Sequence, residues 1–491
     1  MRPMLALLLA GVSLSACTSM APKYARPEAP VPASWPAGDA YLKQSEATLP
    51  SVSYRDIFRD DRLRRIIEQA LINNRDLRVA AANIVAARAQ YRIQRADLLP
   101  QVDASASVTR ADSGTGRTNT GGSAVSGGAR TNYSTDLGIT AFEIDLFGRV
   151  RSLTDAAQNR YFATEAAARA TRLTLVGDIA NAWLNYAADQ SLLKIAQDTA
   201  ASAERSVKLT KARLDGGVAP RTDLSQSQLV LAQAQSDLAQ QTTALAQDVN
   251  LLQLLVGAPV DTALLPGTID EAGKTVAELP AGLDSGILLR RPDVLQAEYG
   301  LRASNAEIGA ARAALFPRIS LTAVLGFASN ALSGLFTGGA FNYSVAPSAS
   351  YPIFSAGAGR AGVEQSRAQR DAALATYEKS IQTAFREVSD ALARRGTIAA
   401  QTRAAQSLAA AASDNYRLSD ARYRGGIDTF LQSLDAQRSL YSAQRSLVAT
   451  QLTGATNLVD LYRTLGGDAQ LDATAHGPVP TGTPANRPPS N

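Results

Sequence analysis

The stretch Arg213-Leu-Asp-Gly-Gly-Val218 returns as Arg422-Tyr-Arg-Gly-Gly-Ile427, and Leu98-Leu-Pro100 returns as Leu315-Phe-Pro317. The offset is 209 residues for the glycine stretch and 217 for the proline stretch, so two similar halves differ by a small length change between these points. An internal repeat has to be recognised before a fold is assigned, because each copy is one structural unit. Each half is predicted to contain a long helix, a β-hairpin, a longer helix, a glycine break and a further helix.

The glycine breaks follow very long helical segments. Val150 to Arg213 and Arg360 to Arg422 are rich in Ala, Gln, Arg and Leu, and a helix of about 64 residues reaches roughly 96 Å. Gly216, Gly217, Gly425 and Gly426 are predicted to end these helices as C-caps and to form the tips of two helical hairpins.

Apolar residues in these helices recur at steps of three and four, which is a coiled-coil period. They are Leu173, Val176, Ala180, Trp183 and Ala187 in the first half, and Ile381, Phe385, Val388 and Leu392 in the second. Stripes of this kind usually form a helix-to-helix core, so we predict that they build walls and bind no cofactor.

Four other segments alternate apolar and polar residues, which is the period of a strand. The apolar sets are Val102, Ala104, Ala106 and Val108; Tyr133, Leu137, Ile139 and Ala141; Ile319, Leu321, Ala323, Leu325 and Phe327; and Tyr343, Val345, Ala349, Tyr351 and Ile353. They predict β-hairpins at about 101–142 and 318–353, with loops at Asp112–Arg130 and Ala328–Gly339. Strands of about 10 residues suit an outer-membrane barrel. A soluble sandwich alternates similarly, but the terminal tyrosines and the N-terminal signal favour the barrel.

Four strands do not close a barrel, and lipid does not tolerate an open sheet edge. The barrel is therefore predicted to be shared between subunits. Two chains give eight strands, an interior that side chains fill, whereas three give twelve. A homotrimer is then the smallest assembly that conducts.

The N-terminus carries an export signal. Residues 1–16 hold one arginine and the short apolar run Met4 to Ala10, and they end in Leu14-Ser-Ala-Cys17. This run is too short to span a bilayer. Small residues before a cysteine resemble the bacterial lipoprotein cleavage box, which makes Cys17 the lipidated first residue of the mature chain. The alternative is ordinary cleavage near Ala21.

Composition excludes most classes of enzyme. The chain has one histidine, His476, and one cysteine, Cys17, so His/Cys zinc sites and His-based triads cannot form. Loss of the single arginine in the signal lowers the net charge from +5 to +4, which is too mild and too interspersed with acids to indicate nucleic-acid binding. We expect no enzyme, no catalytic residue, no metal and no cofactor beyond the covalent lipid on Cys17.

One motif matches the sequence pattern of a dinucleotide-binding site. Gly357-Ala-Gly-Arg-Ala-Gly362 fits G-x-G-x-x-G and precedes a predicted helix. The preceding strand is amphipathic and no βαβ unit follows, so we interpret the motif as a flexible strand-to-helix junction.

Several motifs together resemble a known family. They are Tyr24-Ala-Arg-Pro27, Glu143-Ile-Asp-Leu-Phe-Gly-Arg149, Arg290-Arg-Pro-Asp293, Ala314-Leu-Phe-Pro317, Tyr423-Arg-Gly-Gly and Leu434-Asp-Ala-Gln-Arg438. From Cys17 to about Gly467 the chain resembles the TolC-like outer-membrane factors, and among them the OprM/NodT-type lipoproteins of RND multidrug efflux systems.

The resemblance implies an α+β membrane protein: a homotrimer whose 12-stranded β-barrel, four strands per chain, continues into a long α-helical periplasmic barrel. It implies a passive exit duct for drugs or other small toxic compounds, lipid-anchored in the cell outer membrane, with a periplasmic adaptor and an inner-membrane RND transporter as partners. Two alternatives remain, a type I secretion conduit and a structural coiled-coil lipoprotein of the envelope.

The resemblance also places a periplasmic gate on Leu431 and Asp435, which lie one helical turn apart, and extends the closed-state network to Tyr423, Arg424 and Arg438. An i,i+3 pair of Asp435 with Arg438 is the alternative role for that carboxylate. Asp428 is predicted to be a helix N-cap. In the first half, Thr222 and Gln226 occupy the positions equivalent to Leu431 and Asp435.

The predicted organisation has six parts. They are a signal peptide at 1–16, a lipidated extended linker at 17–55, a first repeat at 56–256, an equatorial linker at 257–286, a second repeat at 287–465 and a flexible tail at 466–491.

Overall fold

The computed structural model of the protein describes residues 19–41, 53–112, 129–277 and 285–481. The predicted signal peptide, Cys17 and most of the predicted loop Asp112–Arg130 lie outside these residues. The chain divides into two compact units. The first comprises Met1–Pro27, Val85–Tyr161 and Glu298–Thr376, and the second comprises Glu28–Ile84, Phe162–Ala297 and Tyr377–Asn491.

The described helices and strands follow the order that the repeat predicts. The helices are α1 (Tyr54–Ile57), α2 (Asp61–Asn73), α3 (Arg75–Ala96), α4 (Arg149–Asp215), α5 (Arg221–Val256), α6 (Ile269–Gly273), α7 (Pro292–Ala313), α8 (Ala358–Arg424) and α9 (Phe430–Thr464). The strands are β1 (Val102–Ala111), β2 (Arg130–Glu143), β3 (Arg318–Ser329), β4 (Phe341–Ser350), β5 (Leu471–Thr474) and β6 (Gly477–Pro480). Both long helices, α4 and α8, have 67 residues.

The first unit contains a four-stranded antiparallel sheet in the order β1-β2-β3-β4, which confirms the four predicted strands. The last of them ends at Ser350, so Tyr351 and Ile353, which were predicted to belong to it, lie beyond the strand. Its register separates two faces, because directly paired residues point to the same side. One row joins Ala104, Leu137, Leu325 and Tyr343, and the next joins Ser105, Asp136, Gly326 and Asn342. One face is therefore mainly apolar and the other mainly small and polar.

The predicted alternation in β2 fails at Ala141. The register shifts between Ile139 and Phe142, and Ala141 has a φ of 50°. Its N–H donates to the hydroxyl of Thr322 at 3.2 Å. Ala141 is thus part of a β-bulge, where an extra residue is left out of the ladder.

The second unit has a core built where α2, α4, α5 and α9 meet. The residues of this cluster include Leu63, Ile66, Val176, Ile179, Trp183, Leu252, Leu458, Val459 and Tyr462. The indole N–H of Trp183 donates to the carbonyl of Leu264 at 3.1 Å. The coiled-coil stripe predicted around Trp183 is buried, as are Ile381, Val388 and Leu392 of the second stripe. The half-buried Phe385 stacks on Trp35 with ring centroids 5.0 Å apart.

The predicted flexible tail at 466–491 is wrong for its first part. A helical turn covers Gly467–Ala469, and β5 pairs with β6 in a short hairpin that reaches Pro480. Leu471 is fully buried, so burial of an apolar residue holds this segment. Residues 482–491 lie outside the described part of the chain. Among the described helices, none combines the length and apolar character that crossing a membrane requires.

Candidate functional site

The tips of the two helical hairpins, α4–α5 and α8–α9, have the same backbone structure. The N–H of Val218 donates to the carbonyl of Arg213 at 2.9 Å, and the N–H of Ile427 donates to the carbonyl of Arg422 at 3.0 Å. Each bond closes a Schellman motif, which requires a left-handed residue just past the helix. That residue is Gly217 in one hairpin and Gly426 in the other, with φ of 75° and 74°.

The side chains of the two tips differ although their backbones agree. Arg422 pairs with Asp428 inside its own hairpin, with 3.1 Å between Nη2 and Oδ1. The first hairpin has Ala219 at the position of Asp428. Its arginine, Arg213, reaches the other hairpin instead, donating to the carbonyls of Tyr423 at 3.1 Å and Arg424 at 3.3 Å.

This contact of Arg213 has two physical components. The carbonyls at the end of α8 carry partial negative charge, so a cation there is favourable even though the Tyr423 carbonyl also accepts from the N–H of Gly426 at 3.0 Å. The Arg213 guanidinium also lies 4.5 Å from the centre of the Tyr423 ring, within the range of a cation–π interaction. One residue therefore ties the two hairpin tips of a single chain together.

Tyr423 is the centre of a small apolar cluster below the tips. It packs with Phe430 and Leu434, and Leu209 and Val230 of the first hairpin cover them. Burial raises the pKa of Tyr423, and the neighbouring Arg213 opposes this shift. Arg424 lies at the rim and pairs with Asp420 at 2.8 Å.

Leu431 and Asp435, the predicted gate residues, both lie on the exposed side of α9 in the single chain. Leu431 is 62% exposed although it is apolar. Arg438 is exposed on the same helix. Within the described ranges no ion pair joins Asp435 to Arg438, so the alternative role of Asp435 is absent from this structure.

The predicted N-cap role of Asp428 is wrong. The N-cap of α9 is Thr429. Asp428 is one residue too early, and its carboxylate accepts from Arg422 instead. The pairing with Arg422 lowers the pKa of Asp428.

In the first hairpin, Thr222 is exposed and Gln226 half-buried. Neither provides the apolar side chain and carboxylate that the second hairpin exposes. The two hairpins therefore differ at the surface as well as in sequence.

Polar contacts also join the helices above the tips. The hydroxyls of Ser202 and Tyr416 lie 2.7 Å apart, and the hydroxyl of Tyr441 donates to Asp237 at 2.6 Å. Burial and the Asp237 carboxylate raise the pKa of Tyr441 to about 12. The phenol therefore keeps the proton that it donates.

Sequence reasoning missed an acidic pair in the first hairpin, Asp189 on α4 and Asp248 on α5. Burial raises the pKa of both carboxyls, and the proximity of Asp189 contributes to a pKa of about 7 for Asp248. The residues are 59 positions apart in sequence, so only the folded hairpin reveals the pair. Sequence reasoning also missed Arg213. The available signal was that the first hairpin has Ala219 at the position of Asp428, and so lacks an acidic partner for its arginine there.

Comparisons with known proteins agree on one family. The family model described as outer membrane efflux protein matches residues 66–258 and 284–467. The probable efflux pump outer membrane protein TtgC of Pseudomonas putida is 45% identical over 468 residues, which cover 95% of this chain and 96% of that protein. The outer membrane protein OprJ of Pseudomonas aeruginosa is 40% identical, over 94% and 95% of the two chains.

Solved structures give the same picture for the fold. The MtrE outer membrane channel of Neisseria gonorrhoeae, solved in its open state, has a TM-score of 0.79 and 33% identity, over 92% of this chain and 99% of that one. A structure of CusC has a TM-score of 0.80 and 35% identity, over 92% and 100%.

Proposed function

Because the chain belongs to the outer membrane efflux protein family, we propose that three copies of it assemble into the exit duct of an efflux pump. The protein itself is an outer-membrane efflux protein. The proposal concerns its assembly, its gate, its lipid anchor and its partners.

The observation that carries the proposal is the sheet, in which β1 and β4 each pair on one side only among the strands that the structure describes. An unpaired edge in lipid leaves backbone groups without hydrogen bonds, so the edges must meet other copies. Three copies supply twelve strands. The apolar rows, such as Ala104, Leu137, Leu325 and Tyr343, then face lipid, and the rows of small polar residues line the lumen.

The helical hairpins then form the periplasmic part of the duct, with Leu431 and Asp435 as its gate. An apolar side chain that is 62% exposed, one turn from an exposed carboxylate, is suited to meeting its symmetry copies at an axis. Three leucines narrow the passage, and three carboxylates favour cations over anions.

We further propose that the tips dock a periplasmic adaptor, through which an inner-membrane RND transporter supplies the energy. Relatives with names such as toluene efflux pump and antibiotic efflux pump outer membrane protein support this role over a type I secretion conduit. The cargo is then small toxic compounds that cross without a catalytic step. Acylation of Cys17 adds a lipid anchor to the barrel.

The gate is tested with Leu431→Ala/Asp435→Ala, and the matched control is Thr222→Ala/Gln226→Ala at the equivalent positions of the first repeat. Purified trimers in planar bilayers are expected to show a rise of about twofold or more in single-channel conductance for the first variant only. Cells carrying it should take up more of a large antibiotic that the outer membrane excludes.

Equal conductance and equal uptake in both variants would contradict the gate assignment but would not contradict the proposal that the protein forms a duct. Protein that runs as a monomer, or trimers that do not conduct, would contradict the duct itself.

A further inference from the structure

The first described residues of the chain run along one face of α7. The Arg312 side chain donates to the carbonyl of Met20 at 3.1 Å, and the Asn305 side chain donates to the carbonyl of Pro22 at 2.7 Å. Further along, Tyr24 and Arg26 both reach Glu298. As the chain number rises from 20 to 26, the helix number falls from 312 to 298, so the two run antiparallel.

The lengths of the two partners match. Residues 312, 309, 305, 302 and 298 step by three and four along α7, which places them on one face. The fourteen steps along the helix from residue 298 to residue 312 rise by about 21 Å. Six steps of extended chain cover about 20 Å. Residues 19–26, here called the N-terminal strap, therefore lie extended along the whole of this face.

One end of the strap is fixed by a buried carboxylate. Glu298 is fully buried and accepts from Arg26 and from Arg302, each at 2.7 Å, and from the Tyr24 hydroxyl at 3.2 Å. Burial and the Glu298 carboxylate raise the pKa of Tyr24 to about 12, so its hydroxyl keeps the proton. The Arg302 guanidinium also lies 4.8 Å from the Tyr24 ring centre. A buried charge needs such partners, and the strap provides two of the three.

The other end passes over a glycine. A Cβ on Gly309 would lie 2.6 Å from the backbone nitrogen of Ala21 and 2.7 Å from the Ser152 hydroxyl oxygen. The Ser152 hydroxyl lies 3.3 Å from that of Ser19. Ser152 is in the first turn of α4, which follows β2, and α7 leads directly into β3. The strap thus leaves the fold where helices join the strands of the sheet.

We propose that this face of α7 is a permanent docking groove for the N-terminal strap. The docking holds the anchored N-terminus near the end of the sheet at which the helices join the strands. This positioning role rests on the proposed lipid anchor. The anchor would be on Cys17, which is only two residues before Ser19. Two residues span at most about 7 Å. An acyl group on Cys17 is then tethered within that distance of the docked Ser19.

Gly309→Ala tests the docking, and Gly300→Ala on the same helix is its matched control, since a Cβ there would have no neighbour within 4 Å. The full-length protein in detergent is treated with trypsin, which can cut the strap after the exposed Lys23. We expect cleavage about tenfold faster or more in Gly309→Ala than in wild type or Gly300→Ala. Equal rates in all three proteins overturn the docking groove.

A second variant does not rely on added bulk. Ser19→Cys/Ser152→Cys is expected to form an intramolecular disulfide in outer-membrane vesicles, and adding Gly309→Ala should reduce its yield several-fold. Cells with the cross-linked protein should keep the antibiotic resistance of wild type, because the strap stays docked during work. Absence of the disulfide, or loss of resistance on cross-linking, overturns the proposal.

Radiolabelled palmitate separates the two proposals. A result in which the strap docks but the protein takes up no label contradicts the lipid anchor and the positioning role derived from it. That result does not contradict the docking groove. A labelled protein without docking contradicts the groove alone.

Discussion

Ala141 has a φ of 50° inside β2, a backbone conformation that side chains with a Cβ rarely adopt. We expect Ala141→Gly to relieve this strain and to stabilise the protein by about 0.5–1 kcal/mol, because the relief exceeds the extra entropy of glycine in the unfolded chain. The midpoint of thermal dissociation of the trimer should rise by a few degrees.

The control for this change is Ala323→Gly, which lies in β3 opposite Ile139 in the regular ladder. It removes a strand-forming side chain without relieving strain, so the midpoint should fall. A fall in both variants would show that the bulge at Ala141 is not strained.

At the same scale, Leu431 and Asp435 illustrate how far a single sequence reaches. Their residue types and spacing identify them through the resemblance to the family. The repeat shows that the equivalent positions of the first half hold different residue types, Thr222 and Gln226. Their exposure on α9 depends on which residues of the second hairpin pack against Tyr423. The fold determines which residues pack there, and therefore which ones stay exposed.

Between elements, Arg213 is the link from the first hairpin to the end of α8. Arg213→Ala removes the donor to two helix-end carbonyls and the cation over the Tyr423 ring. We expect looser tips and single-channel conductance raised by about 1.5-fold or more.

Arg422→Ala is the comparison, since its ion pair with Asp428 stays within one hairpin and the Arg422 side chain is 55% exposed. An exposed pair contributes little, so the conductance should stay near that of wild type. If Arg422→Ala opened the duct as much as Arg213→Ala, the link between hairpins would have no special role.

The Asp189 and Asp248 pair predicts a pH dependence of stability in the first hairpin. Asp248 has a pKa of about 7 in the folded chain, against its ordinary value of 3.8. Between these values the folded state holds a proton that the unfolded state has lost, so stability falls as pH rises from about 4 to 7. Above pH 7 the two charges repel each other in the folded chain.

Asp248→Asn is therefore expected to exceed wild type in stability at pH 8 by about 1–2 kcal/mol, after allowance for solvent screening of these half-buried groups. The difference should vanish near pH 4. Trimer melting followed at several pH values measures it. Asp198→Asn, an exposed carboxylate on α4, should behave as wild type, and a gain at Asp248 that is independent of pH would contradict the shared proton.

For the whole molecule, each half of the chain supplies one β-hairpin and one long helical hairpin. In the proposed trimer, six similar units then surround one channel. They are unequal at the tips, where Arg213 faces the other hairpin and Arg422 does not. The first half thereby contacts the end of α8, and the second half exposes the proposed gate residues.

The sequence alone determined the repeat, the four strands and the long helices. These features rest on local periodicity and on glycines, which are readable over a few turns. The bulge at Ala141 was hidden because the residues from Tyr133 to Ala141 fit an alternating pattern. The β5–β6 hairpin was hidden as well, since its composition is typical of a tail.

Only the tertiary structure decided the contacts between distant residues: the docking of residues 19–26 on α7, the reach of Arg213 to the end of α8, and the pairing of Asp189 with Asp248. Each brings together groups that lie 59 to more than 270 positions apart. The sequence supplies the charges and the small residues at these points. Their partners are chosen by the packing of helices, because long-range contacts leave no period in the sequence to read.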